Sequence, residues 1–181
     1  LSIIGLDLKK KNKLNNNTIV GTVMNNLGFI NFCKENDINF IATKVGDRYV
    51  LEELNLGNFS LGGEQSGHII LKDYANTGDG ESTSLVLFSI LASGNIKFSE
   101  LSSIMNKYPQ VLINTSVSND KKSDFYMNDI IKNNIERVEN ILGENGRVLV
   151  RPSGTEPLIR VMLEGKDKEL IEKYAKELAN V

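Results

Sequence analysis

The stretch Arg-Pro-Ser-Gly-Thr-Glu-Pro at 151–157 sets one arginine, two hydroxyls and a glycine around two prolines. Pro152 and Pro157 restrict the backbone at both ends. Gly154 can adopt positive φ, which lets successive backbone N–H groups converge on an anion. Ser153 and Thr155 add hydroxyl donors, and the planar fork of Arg151 can grip a phosphate through two parallel hydrogen bonds. Arg160, a few residues further on, could point toward the same place. The plain alternative is a Pro-Ser-Gly turn flanked by surface charges.

A second stretch, LGGEQSGHIIL at 61–71, holds the only histidine of the chain. Glu64, Ser66 and His68 alternate, so on an extended backbone they share one face. A carboxylate accepts from pairs of hydroxyls, a serine donates or accepts, and an imidazole donates to phosphate or moves a proton near neutral pH. Gly62 and Gly63 would let a polyhydroxy ligand approach the backbone. The alternative is a hairpin with a partly exposed histidine. No second histidine and no cysteine pair accompanies it, so the stretch does not suggest a metal site. Asp47 and Arg48, in TKVGDRYVLEEL, either contact a ligand or pair locally, and Asp79, in TGDGES, reads as a helix cap.

The elements that must carry these residues follow from periodicity. Residues 2–12 read as an amphipathic helix, 18–23 as a strand, 25–36 as a helix, 38–45 as a strand and 46–55 as a helix. The stretch 58–73 reads as strand, loop, strand, and 77–95 as a helix ending near Gly94. This alternation predicts an α/β domain with a mixed, mainly parallel sheet over 1–93. After a polar linker at 94–108, a strand at 109–118, a helix from about 124 to 142, two strands within 146–165 and a helix at 167–180 predict a smaller α+β domain with an antiparallel sheet over 94–181.

Bulk composition narrows the partners. The 181 residues carry a net charge of −2. Up to Ser93 there are 8 basic against 10 acidic residues, and beyond it 13 of each. Neither half is basic, which argues against a nucleic-acid or anionic-membrane surface. No apolar run approaches the roughly 20 residues that span a bilayer, and a single cysteine, Cys33, allows no disulfide within the chain and fits a reducing compartment.

The motifs GTVMNNLG, TKVGDRYVLEE, LGGEQSGHIIL, TGDG, KYPQV and GRVLVRPSGTEPLIRVMLEG occur in this order. Together they resemble the C-terminal half of the bacterial phosphoglucosamine mutases, within the α-D-phosphohexomutase superfamily. Those enzymes have four domains around one cleft and interconvert glucosamine 6-phosphate and glucosamine 1-phosphate through a phosphoserine in the first domain and Mg²⁺ in the second. The resemblance implies that Glu64 and Ser66 bind sugar hydroxyls and that His68 contacts phosphate or assists proton transfer. It implies that Arg151, Ser153, Gly154 and Thr155 hold the phosphate that is not transferred, and that Asp47 and Arg48 face the cleft.

The chain departs from the family in having no family-like phosphorylation serine and no Asp-x-Asp-x-Asp loop. It is therefore expected to correspond to the third and fourth domains of a cytoplasmic enzyme, to begin downstream of the natural start, and to depend on the missing N-terminal domains for turnover. Phosphomannomutase or phosphoglucomutase specificity, or a stand-alone phosphosugar-binding module, are the alternative readings.

Overall fold

The computed structural model describes residues 1–94, 96–118, 122 and 124–181. The chain forms two compact units, Leu1–Lys107 and Tyr108–Val181.

The first unit is built on β1 (Thr18–Thr22), β2 (Asn39–Thr43), β3 (Leu61–Gly63) and β4 (Ile69–Leu71), in the order β2-β1-β3-β4. β1 pairs parallel with β2 over five residues and parallel with β3 through Ile19 and Val20, and β4 closes the edge antiparallel to β3. All five residues of β1 are buried, the mark of a central strand covered on both faces. Ile19 points to one side, with Ile4, Phe29, Phe32, Cys33 and Leu61; Val20 points to the other, with Val50, Leu54 and Ile70. These faces are covered by α1 (Ser2–Lys10) and α2 (Leu27–Glu35) on the Ile19 side and by α3 (Asp47–Leu56) on the Val20 side.

Residue 33 is a core residue of α2. Burial pushes the Cys33 thiol up to about 12, which keeps it unreactive at neutral pH.

Two helix starts lie later than periodicity alone suggests, for one reason. The 25–36 segment becomes α2 only from Leu27, because Asn26 is spent as the cap and its Oδ1 accepts from Gly28 N at 3.0 Å. Likewise the helix expected from about 124 begins at Asp129, where Asn128 Oδ1 accepts from Ile130 N at 3.0 Å, and Phe125–Met127 before it is a 3₁₀ turn. α4 (Gly80–Gly94) starts as expected at Asp79, whose carboxylate accepts from Glu81 N at 2.9 Å, Ser82 N at 3.2 Å and Ser82 Oγ at 2.7 Å. The Ser82 hydroxyl first, and then its backbone, hold the Asp79 carboxyl below its ordinary value.

The stretch expected as a linker, 94–108, contains residue 95, which lies outside the described residues. Its helix α5 (Phe98–Ser102) buries Leu101, and Ile104 and Met105 pack on the first unit's core. The boundary between compact units accordingly falls at 107/108 rather than after Ser93.

The second unit is an all-antiparallel sheet, β5 (Gln110–Ser116), β7 (Leu158–Gly165) and β6 (Gly146–Pro152), with β7 in the centre. Two helices, α6 (Asp129–Leu142) and α7 (Lys168–Ala179), cover one face; Val161 and Leu163 meet Val138, Leu142, Ile171, Ala175 and Leu178 there. By alternation, Arg160, Met162 and Glu164 occupy the opposite face of β7. On that face Glu164, fully buried, accepts from Gln110 Nε2 at 2.8 Å and Arg147 Nε at 2.7 Å, its register partners on the two flanking strands.

Candidate functional site

In the first unit the candidate residues gather where the parallel strands end, the edge at which open α/β sheets place their ligands. β2 runs out into Lys44–Arg48, and β3 into the turn that returns as β4. Gly46, at φ +131°, turns its backbone so that its N–H donates to Glu64 Oε1 at 2.9 Å. This bond ties the VGDR loop to the GGEQSGH loop.

The GGEQSGH loop is a closed turn, not an extended segment. Glu64 N donates to His68 O at 2.9 Å and Gly67 N to Glu64 O at 3.1 Å, with Gly67 at φ +99°. Glu64 and His68 therefore stand opposite each other at the feet of the turn, and the exposed Ser66 lies at its tip. The shared-face argument from alternation does not apply here; the turn itself brings the Glu64 and His68 ends together. Gly62 and Gly63 also differ from expectation, since both are buried in β3. A Cβ at Gly62 would lie 2.7 Å from Val50 Cγ1, and one at Gly63 would strike the carbonyl of His68. Internal packing, not ligand approach, is what these glycines serve.

His68 Nε2 has two competing neighbours. Gly78 N donates to it at 3.2 Å, and Asp47 Oδ2 lies 3.5 Å away. A nitrogen that accepts from Gly78 carries no proton, so in the neutral ring the proton sits on Nδ1. In the imidazolium, Nε2–H faces Asp47 instead. The arrangement holds the neutral ring in one tautomer and places a carboxylate near Nε2, which suits proton movement or donation to an anion.

The TGDG loop was legible only as a cap; its contact with His68 had no sequence signal beyond the glycine itself. A Cβ at Gly78 would lie 2.5 Å from His68 Nε2. Gly78→Ala is expected to displace the partly exposed imidazole, moving the ring ¹⁵N resonances of the single histidine while costing little stability. Unchanged ring resonances would contradict the contact. Arg48, by contrast, pairs with Glu52 through Nε at 2.8 Å, one turn along α3, and is not drawn to His68.

In the second unit Arg151 on β6 and Arg160 on β7 are register partners across the antiparallel pair. Like charges in that position repel. Burial, and next the neighbouring Arg160, pull the Arg151 guanidinium below its ordinary value, with Tyr126 opposing. Among the described residues Arg151 has no hydrogen-bond or ion-pair partner. Arg160 Nε is a buried donor with no partner among the described residues, and its Nη2 donates to Glu156 Oε2 at 2.6 Å. Two adjacent guanidiniums with unused donors have the chemistry to take an anion.

The connecting loop departs from expectation in two respects. Gly154 is not among the glycines at positive φ, so the N–H groups do not converge through a left-handed residue at that point. Ser153 is buried, at 3% exposure, and its Oγ accepts from Glu156 N at 3.3 Å. Gly154 and Thr155 are exposed, and nothing lies within 4 Å of where a Gly154 Cβ would be. Glu156 was missed at the level of sequence, because a lone glutamate in a turn has no signature before its partners are known.

The sequence matches the family descriptions "Phosphoglucomutase/phosphomannomutase, alpha/beta/alpha domain III" over residues 1–108 and "Phosphoglucomutase/phosphomannomutase, C-terminal domain" over 112–181. A phosphoglucosamine mutase of Thermoanaerobacter sp. (strain X514) is 55% identical over 181 residues, all of this chain and 40% of that protein. One of Clostridioides difficile (strain 630) is 53% identical over 176 residues, 97% of this chain and 39% of that protein. The chain thus spans about two fifths of the length of these curated relatives. The fold is shared with Aspergillus fumigatus N-acetylphosphoglucosamine mutase, in complex with GlcNAc-6P and magnesium, at a TM-score of 0.77 and 20% identity, covering 99% of this chain and 44% of that one.

Proposed function

Because the chain belongs to the phosphoglucomutase/phosphomannomutase family, we propose that it is the sugar-phosphate-recognising part of a cytoplasmic enzyme that interconverts glucosamine 6-phosphate and glucosamine 1-phosphate. The observation that carries this reading is the cross-strand pair Arg151/Arg160, whose unused donors ask for an anion. Identity of 52–55% to phosphoglucosamine mutases supports glucosamine over other hexoses.

In this reading Arg151 and Arg160 hold the phosphate that stays on the sugar, with Ser153, Gly154 and Thr155 offering loop donors. Two guanidiniums grip a phosphate whichever carbon carries it, as an isomerase with one site for two orientations requires. Glu64 accepts from sugar hydroxyls while one of its oxygens remains on Gly46, and Ser66 adds a hydroxyl at the turn's tip. His68 donates to an anionic oxygen or passes a proton through Nε2, with the Asp47 carboxylate 3.5 Å from that nitrogen.

The family resemblance implies Mg²⁺, which is held by clustered oxygen ligands. Among the described residues no group of three His, Cys, Asp or Glu residues is placed to hold a metal, and the Asp79 carboxylate is occupied by three donors at the start of α4. The described residues do not fit the ion, so its ligands and the phosphoryl-carrying serine are assigned to the remaining length of the full protein.

Amide titration of the 181-residue chain tests the reading. Glucosamine 6-phosphate should shift residues 62–68 and 151–155, and inorganic phosphate only the latter. The chain alone should not isomerise the sugar phosphate; metal-dependent turnover by it would overturn the division of labour.

A further inference from the structure

In the ligand-free loop the anion socket is already partly filled by the chain itself. Glu156 Oε2 receives Arg160 Nη2 at 2.6 Å and lies 3.5 Å from Ser153 Oγ, so one carboxylate oxygen sits between two donors assigned to phosphate. The Glu156 backbone is held from both sides: its N–H donates to Ser153 Oγ at 3.3 Å, and its carbonyl accepts from Leu158 N at 2.8 Å and Lys122 Nζ at 2.9 Å. The side chain itself is half exposed, at 52%, against 32% for Arg160. A pair this open to water is held weakly and is easily exchanged. Arg160 Nε has no partner among the described residues, because Glu156 engages Nη2 through a single oxygen and not both nitrogens side-on.

We propose that Glu156 is a built-in counter-anion: it occupies the Arg160 end of the socket when no ligand is present and must be displaced when a phosphate group enters. This rests on the phosphate reading above and adds a residue that sets affinity. The carboxylate carries one charge and engages its donors, Arg160 Nη2 and Ser153 Oγ, through a single oxygen. A phosphoryl group carries about 1.5 to 2 charges at neutral pH and has three acceptor oxygens, so it can engage Arg151 and Arg160 together and wins the exchange. A monoanionic ligand gains less from the same exchange, which makes Glu156 a filter for phosphorylated sugars.

The test is titration of the chain with inorganic phosphate, followed by amide shifts at 151–160, for the unmodified chain, Glu156→Gln, Arg160→Met and the double variant. Glu156→Gln should bind phosphate about two- to fivefold more tightly, matching the modest strength of an exposed ion pair. That gain should vanish in the Arg160→Met background, because no latch remains to be broken. A purely structural role for Glu156 would make Glu156→Gln bind equally or more weakly, and that result overturns the proposal while leaving the phosphate site standing. A gain that persists with Arg160→Met would reduce Glu156 to general charge repulsion and also overturns it. No response at 151–160 in any of the four proteins would remove the phosphate reading and the proposal with it.

Discussion

Arg151→Ala is expected to weaken binding of glucosamine 6-phosphate by about ten- to a hundredfold, since hydrogen bonds to charged groups contribute roughly 1.5–3 kcal/mol and each 1.4 kcal/mol is tenfold. The fold should hardly notice. Among the described residues Arg151 has no hydrogen-bond or ion-pair partner, and the neighbouring Arg160 charge opposes its own, so its removal breaks no polar contact there and relieves a repulsion. Loss of binding without loss of stability is therefore the signature. Arg151→Lys should not restore affinity, because an ammonium cannot present two parallel donors. Titration beside a thermal melt checks both halves; an Arg151→Ala chain that binds as well as the original would move phosphate recognition elsewhere.

The largest expected loss of stability lies at the other end of the same sheet face. Arg147→Met leaves the fully buried Glu164 carboxylate without its guanidinium, and removing one member of a buried ion pair costs about 3–5 kcal/mol. In a unit of this size each kcal/mol moves the melting temperature by roughly 4–8 °C, so the second unit should melt well below its usual range. The double replacement Arg147→Met with Glu164→Leu removes both charges and should recover much of the loss. Failure of the double variant to recover would assign to Glu164 a role beyond this pair, such as its hydrogen bond from Gln110.

The two residues contrast in how readable they were. Arg151 belongs to a motif whose chemistry is local, and among the described residues its guanidinium has no hydrogen-bond partner. Glu164 is an ordinary glutamate near the end of a strand until β7 is known to run between β5 and β6, which sets Gln110 and Arg147 on either side of it. Element types were legible throughout because the periodicities at Ile3–Leu8, Ile135–Val138 and Leu170–Leu178 are strong. Two helix starts were not, since Asn26 and Asn128 are counted as helix by pattern and as caps by hydrogen bonding.

In the candidate site the residue types were legible and the local backbone was not. Gly154 was expected at positive φ and is not; Gly67, which was not singled out, is. Such details depend on which hydrogen bonds the finished loop closes, here Glu64 N to His68 O. The contacts of His68 with Gly78 and of Arg160 with Glu156 join groups ten and four residues apart in directions that only the folded turns define.

The central strand of the first unit has a consequence for time. Every residue of Thr18–Thr22 is buried and the strand is paired on both sides, so its amides exchange with solvent only when the whole unit opens. β3 and β4 are joined by only three register pairs at the edge, and the turn between them is open to water. The amides of the edge strand β4 and of the turn can exchange through local separation at lower cost. The loop that carries Glu64, Ser66 and His68 thus keeps a faster clock than the strand beneath it, and can adjust to a ligand many times within the lifetime of the fold that supports it.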